Sequence, residues 1–114
     1  MLLNAGQINM EQLIGGNPTG TPVVNIAVGT GSNPPAVTDT TLTGQVIKTI
    51  TSVDYSVPGY ISFFSQLTAT DPAMTVSEAG LMNSAGVLLY RTLVTPVTKA
   101  AGSVLTIQYR IKVG

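Results

Sequence analysis

VSEAGLMNSAGVLLYRTL, residues 76–93, divides into two apolar runs joined by Asn83-Ser84-Ala85-Gly86, a set of residues that favours chain reversal. Residues 76–82 and 86–94 are expected to pair as a β-hairpin. The first run holds Glu78 among uncharged residues, in a chain with only five acidic residues. Arg91 stands in the second run and Lys99 follows in TPVTKAAGS, so hairpin pairing brings Glu78 and Arg91 close across the strands. The expected role of Glu78 is a structural ion pair with Arg91 or Lys99, inside the subunit or across an interface. A solvated edge-strand carboxylate is the plainer alternative.

Downstream of the hairpin, SVLTIQYRIKV shows strict alternation. Leu105, Ile107, Tyr109, Ile111 and Val113 share one face, and Thr106, Gln108, Arg110 and Lys112 share the other. Upstream, TPVVNIAVG reads as a strand leading into the loop GTGSNPPAVTDTTL, where Gly29, Gly31, Pro34 and Pro35 prevent regular structure. QVIKTITSVDYSV and GYISFFSQLTA, separated by Pro58-Gly59, read as a second hairpin. The apolar phase of QVIKTITSVDYSV changes near Ile50, as a bulge or a bend between sheets requires. About six strands with Gly, Pro and Asn turns predict an all-β fold, an antiparallel β-sandwich or jelly-roll-like domain over residues 21–114.

Residues 1–20 are expected to form an N-terminal arm with a short helical turn. In INMEQLIGG, Asn9 is placed to cap, Gln12 sits at the capping-box position, Ile8 and Leu13 have staple spacing, and Gly15 ends the turn. One to two turns are expected, too few to be stable alone. Leu2, Leu3, Ile8, Leu13 and Ile14 therefore need a surface, either the open end of their own sandwich or a neighbouring subunit as an assembly arm.

Composition narrows the function. Charged residues make up 9% of the 114 and the formal net charge is zero, whereas apolar residues reach 44% and mean hydropathy is +0.37. Sixteen Thr and eight Ser supply an uncharged β surface instead. A surface so poor in charge resists self-association weakly, so a homo-oligomer or larger assembly is the expected state. No basic cluster is present to release counterions from a phosphate backbone, which argues against a nucleic-acid partner. The uncharged run from Gln12 to Thr38 is broken by Gly, Pro and Asn and does not suit a bilayer, so no membrane partner is expected. The first thirty residues lack Lys and Arg, unlike the start of a signal peptide.

Chemistry is poorly provided for. The chain has neither His nor Cys, which removes the commonest general base, the thiol nucleophile and most transition-metal ligands. Glu11, Asp39, Asp54, Asp71 and Glu78 are scattered, and Asp39 and Asp71 occupy turn contexts that favour Asp. GTGSNPP lacks the Lys-Ser/Thr of a phosphate-binding loop. No catalytic residues, no metal and no cofactor are expected, and the chain reads as not an enzyme. A glycan- or receptor-binding module, which needs exposed rings, stays as a lesser alternative, with Tyr55, Tyr60, Phe63, Phe64 and Tyr90 as the available rings and Tyr109 on the apolar face of its strand.

NIAVGTGSNPPAVTDTTL followed by VSEAGLMNSAGVLLYRTLVTPVTKAAGSVLTIQYRIKV resembles small structural proteins and tail-appendage modules of tailed bacteriophages. The matching positions are Gly29, Gly31, Asp39, Thr40, Leu42, Glu78, Gly80, Leu81, Gly86, Arg91, Lys99 and Ile107, within a similarity covering about residues 24–114. The chain departs from that pattern at Met82 and in having no Trp near its end. The resemblance implies a virion building block, assembled in the host cytoplasm, whose partners are the major capsid protein or tail components. A capsid decoration or cement protein is the first expectation. A small tail, neck, baseplate or tail-fibre component is the second.

Overall fold

A computed structural model describes residues 1–113. In chain order the elements are α1 (Asn4–Ile14), β1 (Val23–Gly29), β2 (Val46–Thr49), β3 (Ser52–Asp54), β4 (Tyr60–Leu67), β5 (Met74–Asn83), β6 (Leu88–Lys99) and β7 (Leu105–Lys112). The strands form a four-stranded sheet, β2-β1-β5-β6, and a three-stranded sheet, β3-β4-β7. Every strand pair is antiparallel, and the fold is an all-β, sandwich-like one.

Alternation places the main core between the sheets. Ile26 and Val28 of β1, Phe63 and Leu67 of β4, Ala79 and Leu81 of β5, and Tyr109 and Ile111 of β7 pack together there. The Tyr109 phenol is buried, which pushes its pKa well above the usual value. A second cluster, Leu3, Ala27, Leu42, Met82 and Leu88, includes Leu3 from the N-terminal segment and Leu42 from the loop after β1. Because clusters lie on both sides of the central strands, β5 is buried along nearly its whole length.

The expected second hairpin is only half present. Ile50 N–H donates to Val24 O at 3.0 Å in one sheet, while Thr51 N–H donates to Phe64 O at 2.8 Å in the other. The chain therefore changes sheets between adjacent residues, where the apolar phase shifts. β2 pairs with β1, and only β3 pairs with β4 around Pro58-Gly59. Gly59 has φ +82°, which a Pro-Gly turn of this kind requires. This corner closes one side of the sandwich, while β6 and β7 leave the opposite side open.

The helix differs from expectation in length and start. It spans 11 residues from Asn4, so Asn9 lies inside it and caps nothing. Its N-terminus has no side-chain cap and is fixed by tertiary contacts: Leu3 N–H donates to Leu89 O and Asn4 N–H to Val37 O, each at 2.9 Å. A Cβ at Gly6 would collide with the Leu89 carbonyl, which explains a helix-weakening glycine at this position. The N-terminal segment therefore docks on its own four-stranded sheet, with Leu2 bridged to Tyr90 and Leu3 buried. Ile8, Leu13 and Ile14 remain exposed, Ile14 at 83%.

Candidate functional site

The hairpin places its charges through its register. Glu78 faces Leu93 and Gly80 faces Arg91, so Glu78 and Arg91 lie diagonally on adjacent strands. Arg91 Nε donates to Glu78 Oε1 at 3.0 Å, and the two side chains are 5% and 1% exposed. The remaining guanidinium nitrogens are also engaged: Nη1 donates to Asp39 Oδ2 at 3.0 Å and Nη2 to Asn33 O at 2.9 Å. The second Glu78 oxygen accepts from Thr43 N–H at 3.2 Å. A buried cation is thus met by two carboxylates and a carbonyl, the satisfaction that burial of an ion demands.

Two glycines make room for this network. A Cβ at Gly31 would collide with Glu78 Oε2, and one at Gly29 would lie 3.0 Å from Glu78 Cδ and 2.7 Å from Thr43 O. The glycine-rich loop thus wraps a carboxylate of its own chain. Asp39 also accepts from Ala36 N–H at 2.8 Å, so it both shapes its turn and bonds Arg91. The sequence reading found the turn role of Asp39 and missed the ionic one. Two acids and one Arg in a chain with so few charges were the available signal.

Lys99 does not join Glu78. It faces Met74, four residues along β5 from Glu78, or roughly 13 Å at a strand rise of about 3.3 Å per residue. Its side chain is buried, and Nζ donates to the carbonyls of Asp71 at 2.9 Å and Ala100 at 3.1 Å. Lys99 therefore clamps the turn before β5 to the end of β6. At the same turn Lys48 Nζ lies 2.9 Å from Asp71 Oδ2, and this contact with the Thr68 N–H holds the Asp71 carboxyl down at about 2.

Asn9, read as a helix cap, ties three elements together. Its Nδ2 donates to Thr21 O at 2.8 Å, and its Oδ1 accepts from Thr21 N–H at 3.0 Å and from Asn83 Nδ2 at 3.3 Å. Asn83 in turn accepts from Ala85 N–H and Val87 N–H, shaping the β5–β6 turn.

A groove lies elsewhere, on the open side of the sandwich. It has a volume of about 520 Å³ between β6 and β7 and is lined largely by apolar side chains such as Tyr90, Val94, Val97, Leu105 and Ile107. Glu78 is not among its lining residues. The ionic centre is a fastening between the β1–β2 loop and the β5–β6 hairpin, and the groove is an apolar surface beside two sheet edges. Comparison of the chain with protein-family models, curated proteins and solved structures finds no match.

Proposed function

We propose that this chain is a non-enzymatic structural protein of a tailed-phage virion, and specifically a capsid decoration or cement protein that stabilises the particle through subunit contacts. One observation carries the reading. Gly29, Gly31, Asp39, Glu78 and Arg91, which are among the positions carrying the sequence resemblance, converge on one buried fastening, although Asp39 and Arg91 lie 52 residues apart in the chain. The residues best equipped for chemistry are thereby committed to holding a loop on a sheet. Partners are then other virion proteins, the major capsid protein first among them, and the location is the assembled particle.

A small tail, neck, baseplate or tail-fibre component is the second reading, favoured by sheet edges exposed on opposite sides of the subunit. Quantitative mass spectrometry on purified particles, with separated heads and tails, tests both. Hundreds of copies on heads are expected for a decoration protein, and a few copies on tails for the second reading. Absence from every particle fraction would overturn both.

A further inference from the structure

The two sheets are unequal, and the difference falls on one side. The four-stranded sheet ends in β6 and the three-stranded sheet ends in β7, so β6 has no strand facing it. The groove between them is the space that a fourth strand beside β7 would occupy.

The two free edges are not equally available. β6 is guarded: Met1 pairs with it through Arg91 N–H to Met1 O at 3.0 Å and the Met1 ammonium to Arg91 O at 2.9 Å. Further along, its register with β5 shifts between Val97 and Leu93, and Pro96 lies in that irregular section. Prolines and bulges are the usual means of blocking an edge. β7 has neither. It pairs with β4 alone, in unbroken register from Tyr60↔Lys112 to Leu67↔Leu105.

Charge selects what pairs with this edge. Arg110 and Lys112 lie on the outward face of β7 and make no salt bridge among the described residues. Two β7 strands side by side would bring these cations together, which disfavours a two-fold contact of this edge with itself. The opposite edge of the same sheet is β3, and it carries Asp54. Asp54 pairs in register with Ser62, and Ser62 with Arg110, so acid and cation stand in one row across the outward face. Around Asp54, residues 52–57 read Ser-Val-Asp-Tyr-Ser-Val, and Val53, Tyr55 and Val57 are all exposed, Tyr55 at 71%.

We infer that the β7 edge of one subunit receives the β3 edge of a second copy, in a head-to-tail contact that continues the three-stranded sheet from subunit to subunit. Asp54 of the incoming copy meets Arg110 and Lys112. The apolar residues of its 52–57 segment cover the groove between β6 and β7. A contact between two different surfaces repeats, giving a ring where the rotation closes and a filament where it does not. This rests on the subunit-contact role proposed above and names its surfaces.

Sedimentation velocity across a concentration series tests it, using the full chain, Asp54→Arg, Lys112→Glu and an equimolar mixture of the two variants. Wild type is expected to sediment as species heavier than the 11.8 kDa monomer. Each variant alone is expected to weaken association at least about tenfold, since close interfacial charge pairs couple that strongly. The mixture is expected to regain association that neither variant shows alone, because the unaltered Asp54 of Lys112→Glu meets the unaltered Arg110 and Lys112 of Asp54→Arg, and position 54, made cationic in one variant, meets position 112, made anionic in the other. Matching circular-dichroism melts establish that both variants are folded.

Monomeric wild type throughout overturns the inference, as does a dimer that Asp54→Arg leaves intact, which is the signature of a two-fold contact. Detection of the chain in virions while it fails these tests would sink the head-to-tail contact alone. Self-association by this pattern without incorporation into particles would sink the virion role and leave the contact standing.

Discussion

Arg91 Nε donates to Glu78 Oε1 at 3.0 Å along a strand diagonal, with both side chains withdrawn from water. Asp39 holds the other end of the same guanidinium from a loop 52 residues earlier in the chain. A buried ion pair adds little net stability over an apolar substitute, yet removing one partner leaves an uncompensated charge. The network therefore acts chiefly as a device for fixing the loop's position.

Glu78→Ala is expected to destabilise the fold by about 3–5 kcal/mol, and Glu78→Ala with Arg91→Met by less than the sum of the two single changes. A double-mutant cycle by urea denaturation measures the coupling. Additive effects would mean that the pair is not a unit.

Gly31→Ala forces a methyl group against Glu78 Oε2 and is expected to cost about 1–3 kcal/mol, the usual penalty for overpacking. In a Glu78→Ala background this cost should shrink but not vanish, because the nearest colliding oxygen is gone while Thr43 Oγ1 stays 2.7 Å from the added Cβ. Gly86→Ala provides the contrast: its φ of +77° imposes a left-handed penalty of about 1–2 kcal/mol that Glu78 cannot relieve. Denaturation midpoints of the four variants separate the two causes.

Asn9→Ala removes three hydrogen bonds from a buried junction and is expected to cost about 1–3 kcal/mol through polar groups left unmet. The loss should be local. Hydrogen exchange is expected to accelerate in α1 and around Thr21 more than in β4, and equal acceleration everywhere would refute a local junction.

Acid should weaken the turn before β5. Asp71 is lowered from 3.8 to about 2, first by its hydrogen bond with Lys48 and then by the Thr68 N–H. Because the folded value lies below the unfolded one, this contribution is complete above pH 3.8 and disappears as pH falls through about 2. Lys48→Met is expected to flatten the decline of thermal stability across that window. An unchanged acid profile in Lys48→Met would remove Lys48 as the cause.

Local rules were readable wherever neighbouring residues settle the outcome. Alternation set the faces of β7, Pro58-Gly59 and Asn83–Gly86 set the turns, and the phase slip at Ile50 marked the place where the chain crosses between sheets. The helix was misjudged because capping rules look only at neighbours in sequence. Its true start is held by Leu89 and Val37, and Asn9 is used by Thr21 and Asn83.

The sequence by itself determined an all-β, low-charge chain without His or Cys, because composition and period-two patterning need no knowledge of distant contacts. Only the tertiary structure decided that Arg91 takes Glu78 and Asp39 while Lys99 takes backbone carbonyls, since strand register and loop path set which few ions come within about 3 Å, the reach of a charge-assisted hydrogen bond. It also decided which edges stay open. Edge status belongs to the order of strands in a sheet, and that order arises from packing between segments far apart in the chain.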